Sequence, residues 1–372
     1  MVIYFVVFAL SILAMKRAVR WDGVSKRRTQ WSLFLVVFPL LLLAALRGDR
    51  VGSDVLFYQK DLYVHALHFT SPIQYIKWSY EEIGYSLVSF LGSRFRHFAF
   101  VHLFNMMIIL LPIVFMIWDL RREIDPELSL ASFLFLYYVQ GYNMARQQMA
   151  ISLMALGVYE FSKKKYVLAL LLGILAMGFH YSAVAGFFSY FLYWMAGSRL
   201  KKVYQLVLLT IVVWVSLNFE QLGRSFGGIL VNVLHITKRS YRSSKAWSSI
   251  SSDINETYLL WGTVGILILI LVGFAANTID KVTRTFLFYM LFILLTSTII
   301  TRNMGFAARV FCYFEIWVIF VIPLIIKLIK DDFVSKAIAK SMIYIGLSVF
   351  WIFGVVIKGW HTVIPYYFFW QG

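Results

Sequence analysis

The strongest constraint on the fold of this chain is its succession of long apolar segments, most of them separated by short connections. Hydrophobic residues make up 61% of the chain and charged residues only 14%, whereas soluble domains are about 25% charged. Apolar runs of roughly 15–20 residues match helices that cross a hydrocarbon core about 30 Å thick. We therefore predict an all-α, polytopic integral membrane protein in which residues 1–372 form a single transmembrane domain.

The apolar runs predict about twelve transmembrane helices. They lie near residues 1–15, 31–46, 98–118, 128–142, 144–161, 166–179, 181–196, 203–218, 257–275, 285–300, 308–326 and 338–357. The first run has no basic residues before it and no clear small-residue cleavage site, so we expect a retained span instead of a removed signal.

Basic residues in the short connections predict the orientation. Connections 16–30, 162–165, 197–202 and 327–340 are all rich in lysine and arginine. Alternation through twelve helices places these four connections on one side, which the positive-inside rule makes cytoplasmic. Two long loops, about 47–97 and 219–256, then face outward. The first contains amphipathic stretches that predict short helices at the interface.

The net charge of +17 follows the same bias and also suits attraction to anionic lipid head groups. No basic soluble arm is long enough for nucleic-acid binding, so we expect no nucleic-acid partner. The single cysteine, Cys312, has no partner for a disulfide or a metal site. Sequence motifs for nucleotide or zinc chemistry are missing as well, and we expect neither a metal nor a cofactor.

The few polar residues in the apolar segments fall on the outward side. Asn143 and Arg146 open one segment, His180 lies between two others, and Arg309 opens another. Ionisable groups in hydrocarbon cost several kcal/mol, so they usually serve a ligand, a proton path or a buried pair. Together they predict a site for a charged ligand.

Arginines dominate this outward set, and guanidinium groups bind phosphate bidentately. The candidates for an anionic ligand are Arg47, Arg146, Arg302 and Arg309. For Arg47 the alternative is snorkelling to the interface, and for Arg146 it is a structural pair with Asp54 or Glu82.

His180 is a candidate for proton transfer because imidazole titrates near neutral pH. Packing at the turn between two helices is the alternative role. Asp54 and Glu82, in the first outward loop, are the competing carboxylates.

Several short motifs occur in a fixed order along the chain. They are Arg47–Asp54 with Tyr58, Glu82–Tyr85, Asn143–Ala150, Phe179–Ala183, Arg309 with Tyr313 and Phe314, and Ile364–Tyr366. Their order and spacing resemble the EpsG family, which comprises bacterial exopolysaccharide proteins and Wzy-type O-antigen polymerases. The resemblance covers nearly the whole chain.

The resemblance implies a membrane glycosyltransferase of GT-C-like type at the periplasmic face of the bacterial inner membrane. Such a protein joins oligosaccharide repeat units carried on undecaprenyl pyrophosphate, which serve as both donor and acceptor. The bilayer is a further partner, and a chain-length regulator is an additional candidate.

The roles that we assign within this reaction are our own. Arg47, Arg146, Arg302 and Arg309 would approach one another around the pyrophosphate and take up its charge without a metal. His180, Asp54 or Glu82 would deprotonate the acceptor hydroxyl. Asn143, Tyr85 and Trp247 would contact sugars.

Two other classes of function compete with the polymerase. A flippase or transporter of lipid-linked sugars would place polar residues in both leaflets near the midplane. A membrane acyltransferase acting on surface glycan would draw its acyl donor from the cytoplasm. Because the polar residues concentrate on the outward side, the sequence favours the polymerase.

Overall fold

A computed structural model describes residues 1–79, 81–199, 202–217, 265, 280–301, 305–329 and 332–371. These residues form helices, joined by turns and one isolated antiparallel bridge, and contain no β-strand. The all-α class is therefore confirmed. Two compact units are present: Met1–Tyr181 with Val318–Gly372, and Ser182–Trp317. The single transmembrane domain stays a prediction.

The first unit begins with ten helices. They are α1 (Val2–Trp21), α2 (Lys26–Ala45), α3 (Lys60–Ala66), α4 (Pro72–Ser79), α5 (Ile83–Arg94), α6 (Ala99–Asp119), α7 (Pro126–Phe133), α8 (Gln140–Asn143), α9 (Ala145–Ser162) and α10 (Tyr166–Phe179). A π-helical turn, Val55–Gln59, precedes α3, and another, Leu134–Tyr138, joins α7 to α8.

The second unit contributes α11 (Ala183–Gly197), α12 (Lys202–Leu217), α13 (Lys281–Thr301) and α14 (Gly305–Glu315). The chain then returns to the first unit with α15 (Val318–Val321), a 3₁₀ helix Ile322–Leu328, and α16 (Phe333–Trp351). A π-helical turn Ile352–Ile357 and a 3₁₀ turn Trp360–Thr362 follow.

Among the described residues, five helical segments are long and apolar enough to cross a membrane. They are Val2–Trp21, Lys26–Ala45, Ala99–Asp119, Arg309–Lys327 and Phe333–Ile357. The protein is thus a multi-pass membrane protein. Helices lie at the other predicted spans too, except 257–275, of which only residue 265 is described. The count of twelve stays a prediction.

Two predicted boundaries are wrong by several residues. The first helix continues past residue 15 to Trp21, and the second begins at Lys26 instead of residue 31. The added turns carry basic residues such as Lys16 and Arg27. Backbone hydrogen bonds continue a helix beyond the point where apolar side chains stop, so an apolar run marks only its central part.

The first unit has two chemically different ends. At one end, three ion pairs join the predicted cytoplasmic connections: Arg121 with Asp22, Lys163 with Asp119, and Lys340 with Asp125. At the opposite helix ends lie Asn143, Arg146 and His180. The predicted site residues Asn143, Arg146 and His180 therefore share one end. We call it the outward end after its predicted orientation, and that it faces the periplasm stays a prediction.

A C-terminal segment, which we call the strap (Gly359–Gln371), crosses the outward end of the first unit. The N–H of Gly48 donates to the carbonyl of Tyr367 at 2.8 Å, and the N–H of Phe369 donates to Leu46 at 3.0 Å. Arg47 and Phe368 face each other in the antiparallel bridge. The strap thus holds the loop that follows α2.

In the second unit, α11 packs against α13 and α14. The ring of Phe286 is 5.2 Å from Tyr193 and 4.9 Å from Trp317. The hydroxyls of Ser182 and Tyr313 lie 3.0 Å apart. This unit carries Arg309 on α14.

Two glycines bring α5 against the end of α10. A Cβ atom on Gly84 would lie 2.8 Å from the carbonyl oxygen of Gly178 and 3.1 Å from the Phe179 ring. Contacts this short force a shift, so only glycine permits the approach. The approach places the start of α5 beside the turn that carries His180.

We expect Gly84→Ala to destabilise the protein by roughly 1–3 kcal/mol, because the added methyl group must separate α5 from α10. Gly346→Ala is the control, since a Cβ atom there meets nothing within 4 Å and alanine favours a helix by up to about 1 kcal/mol. Thermal unfolding of both variants in detergent measures the difference. Equal stability of the two variants would contradict the tight contact.

Candidate functional site

Arg146 is the centre of a buried ion cluster at the outward end of the first unit. It is the second residue of α9, and its side chain is 17% exposed. Its Nη1 donates to Glu82 Oε2 at 2.8 Å and also to Glu81 Oε2. The two glutamates stand in the connection between α4 and α5. The cluster therefore ties α9 to this connection.

Two tyrosine rings flank the guanidinium. Its central carbon lies 4.4 Å from the centre of the Tyr58 ring and 5.7 Å from that of Tyr85, distances within the range of a cation–π interaction. The two rings are 5.8 Å apart. Tyr85 is fully buried. In this conformation its ring supports Arg146 and does not offer an open platform for a sugar.

The Tyr58 hydroxyl connects Arg146 to Asp54, since both side chains interact with it. Burial raises the pKa of this phenol well above its ordinary value, and Asp54 raises it further while Arg146 opposes the shift. Tyr58 is therefore neutral near pH 7 and can donate a hydrogen bond to the Asp54 carboxylate. Asp54 thus belongs to the Arg146 cluster.

Asn143 holds the loop that carries Asp54. Its Oδ1 accepts hydrogen bonds from the Ser53 hydroxyl and from the backbone N–H of Asp54, the latter at 3.1 Å. Gly52, just before, has φ +95°, and a Cβ atom there would lie 2.7 Å from the Tyr142 carbonyl oxygen. The oxygen of Asn143, expected to contact a sugar, thus positions the protein's own loop.

His180 ends α10, where its backbone N–H bonds to the Ala176 carbonyl at 3.1 Å. Burial raises the pKa of the next residue, Tyr181, and the negative charges of Glu82 and Glu81 raise it further. The turn that carries His180 therefore lies near the Arg146 cluster. The structure thus gathers the three candidate bases, Asp54, Glu82 and His180, in one region of the first unit.

Arg47 has a different environment. It is 2% exposed, so it does not snorkel to the interface. Its Nη2 donates to His102 Nδ1 at 2.9 Å, and its guanidinium carbon lies 4.1 Å from the centre of the Tyr142 ring.

Three further candidates lie outside the first unit or outside the described residues. Arg309 belongs to the second unit, while Arg302 and Trp247 lie outside the described residues. The convergence of Arg47, Arg146, Arg302 and Arg309 stays a prediction. Within the described part of the chain, no group of three or more His, Cys, Asp or Glu side chains could hold a metal ion.

Two participants were missed by sequence reasoning. Glu81 pairs with Arg146, and only its position beside Glu82 in a polar connection pointed to it. His102, which lies just beyond the first outward loop and was not among the candidates, is 1% exposed and accepts a hydrogen bond from Arg47. Its place within the first turn of an apolar helix was the available signal.

The family model described as "EpsG family" matches residues 30–368, nearly the whole chain. The chain belongs to the EpsG family. No curated protein and no solved structure matches it. The EpsG family is similar to Wzy-type polymerases, so this EpsG-family member is a membrane protein of polysaccharide-polymerase type. The match includes the residues of the Arg146 cluster.

The ion cluster predicts a stability pattern that depends on charge balance. Arg146→Met leaves Glu81 and Glu82 without their cation, and removing one side of a buried pair costs about 3–5 kcal/mol. The triple variant Arg146→Met/Glu81→Gln/Glu82→Gln removes all three charges and should recover most of this loss. Thermal unfolding of both variants measures it. A triple variant no more stable than Arg146→Met would show that the charges are not coupled.

Proposed function

We propose that this protein is a polymerase that joins undecaprenyl-pyrophosphate-linked oligosaccharide repeat units at the periplasmic face of the bacterial inner membrane, for an O-antigen or an exopolysaccharide. The observation that carries the proposal is the Glu81–Arg146–Glu82 cluster with Asp54 and the His180 turn beside it. This arrangement provides candidate bases at one end of a helical unit in a member of the EpsG family.

The reaction requires a base and a means of stabilising a leaving group. The bond between the anomeric carbon of the growing glycan and its lipid pyrophosphate breaks. A new bond forms to a hydroxyl at the non-reducing end of the next unit, and that hydroxyl loses its proton to the base. Arginine side chains can stabilise the charge on the departing pyrophosphate without a metal.

The charge balance of the cluster suits activation of the acceptor hydroxyl by a base better than it suits binding of the pyrophosphate. One guanidinium faces two carboxylates, so the group carries a net negative charge if both are ionised. We therefore propose that Arg146 orients Glu82, and with it Glu81, toward the acceptor hydroxyl. We assign pyrophosphate binding to the other three arginine candidates, Arg47, Arg302 and Arg309.

The first test uses a strain of the producing organism that lacks the gene. Its surface polysaccharide should carry one repeat unit without a ladder on a gel, and the wild-type gene should restore the ladder. Loss of all lipid-linked units outside the membrane would indicate a flippase. A ladder of normal length that lacks acyl groups would indicate an acyltransferase.

In the same strain, Arg146→Lys should lower polymer formation by roughly 10- to 100-fold, because a lysine cannot reproduce the planar fork and displaces the carboxylates. The matched control is Arg121→Lys, since the Arg121 side chain is 18% exposed and also paired with an aspartate, but at the opposite end of the unit. Immunoblotting of membranes confirms insertion. Normal ladders from Arg146→Lys would contradict a positioning role.

The identity of the base can be tested with purified lipid-linked repeat units. We compare His180→Gln, Asp54→Asn and Glu82→Gln, with the exposed His68→Gln as control. Removal of the base should abolish turnover, leave donor binding intact, and remove the fall in rate at low pH that protonation of the base causes. A variant that retains activity and an unchanged pH profile is not the base.

A further inference from the structure

Arg47 is a buried cation for which the described part of the chain supplies no acidic partner. It is 2% exposed, and no carboxylate in the described part of the chain forms an ion pair with it. Arg121 and Arg146, by contrast, each face at least one carboxylate. Proteins rarely leave a buried charge unpaired, since the net desolvation cost is several kcal/mol. Arg47 therefore needs either a compensating anion or an entirely structural reason to be charged there.

The contacts that Arg47 makes hold it in place without neutralising it. A guanidinium only donates hydrogen bonds, so His102 accepts through Nδ1 and carries its proton on Nε2. The imidazole is then neutral. The Tyr142 ring, 4.1 Å away, attracts the cation through its quadrupole but carries no net charge to neutralise it. Arg47 Nε and His102 Nε2 are both buried and have no hydrogen-bond partner among the residues that the structure describes.

The strap pairs with the loop that carries Arg47. Phe368 lies opposite Arg47, and the flanking backbone bonds involve Gly48 and Phe369. The Tyr366 hydroxyl donates to the Leu43 carbonyl at 2.8 Å. The Trp370 side chain is 59% exposed. The Gly52 N–H also donates to the Thr362 carbonyl at 3.0 Å, and the Tyr4 hydroxyl donates to the Val363 carbonyl at 3.2 Å. None of these bonds is a backbone bond within a helix, so the strap can part from the loop after α2 without breaking one.

We propose that Arg47, held between His102 and Tyr142, is an anion site that receives the phosphate groups of a lipid pyrophosphate when the strap parts from the loop after α2. The Arg47 Nε–H can donate a hydrogen bond to a phosphate oxygen, and the positive charge of the guanidinium strengthens that bond. The inference rests on the proposed function for the lipid that carries the phosphates. Anion binding at Arg47 does not depend on it.

The test compares thermal unfolding of the full chain in nanodiscs of phosphatidylcholine, with and without inorganic pyrophosphate. Arg47→Met should unfold at a higher temperature than the wild type, because an apolar side chain of similar length replaces an uncompensated charge. Arg121→Met is the matched control and should unfold at an equal or lower temperature, since it leaves Asp22 without its partner.

Pyrophosphate should raise the unfolding temperature of the wild type and of Arg121→Met. In Arg47→Met its affinity should fall by roughly 10-fold or more, the loss expected for a charged hydrogen bond. An Arg47→Met protein that is less stable than the wild type, or that fails to fold, would make Arg47 a structural cation and overturn the proposal. An unchanged pyrophosphate effect in this variant would overturn it as well.

A second set of nanodiscs contains phosphatidylglycerol and no pyrophosphate. If this lipid alone produces the Arg47-dependent stabilisation, the occupant is a bilayer head group and the assignment to a lipid pyrophosphate is overturned. Hydrogen exchange at the amides of Gly48 and Phe369 reports whether the strap stays bonded to the loop after α2. Pyrophosphate should change their exchange rates in the wild type and not in Arg47→Met, and unchanged rates in both would overturn the strap movement. The gene-deletion experiment involves no pyrophosphate binding, so failure of the proposed function is seen separately.

Discussion

The ion cluster of Arg146 with Glu81 and Glu82 is the interaction on which the outward end of the first unit depends. An arginine in an apolar helix needs compensation, and here two carboxylates from a connection outside the long helices supply it. The pairing draws the start of α5 onto α9. Because Gly84 also lets α5 approach the end of α10, the same contact places His180 near the acidic pair. The arrangement of the candidate bases follows from compensation of one charge.

Three arginines of the first unit illustrate three electrostatic environments. Arg121 pairs with one half-buried aspartate at the predicted cytoplasmic end, as expected for a connection near head groups. Arg146 faces two carboxylates, so its surroundings carry excess negative charge. Arg47 faces a neutral imidazole and aromatic rings, so its surroundings carry excess positive charge. A glycosyl transfer from a lipid pyrophosphate needs both kinds of environment, one for a proton and one for an anion.

The loop after α2 is what relates the two outward environments. Gly52 packs against the Tyr142 carbonyl, and its N–H donates to Thr362 of the strap at 3.0 Å. Asn143 holds the next two residues, including Asp54. A short polar loop is therefore bonded on one side to the strap and on the other to Asn143 at the end of α8. Movement of the strap would thus affect the position of Asp54 as well as that of Arg47.

The amino-acid sequence alone was sufficient for the class of fold, the positions of most described helices and the common end of Asn143, Arg146 and His180 in the first unit. These properties depend on local hydrophobicity and on charges at helix ends, which each segment carries by itself. It named Asp54 and Glu82 as alternative partners of Arg146, and the structure contains the Arg146–Glu82 pair, but it did not identify Glu81 or the contact of Arg47 with His102. Glu81 is 65 residues from Arg146, and His102 is 55 residues from Arg47. Such pairs form only when helices pack, because close approach depends on small residues such as Gly84 and Gly52 at contacts that no local pattern reveals. Whether an arginine is compensated or left unpaired is therefore decided by the tertiary structure, since burial and the distance to a carboxylate do not exist before the chain has folded.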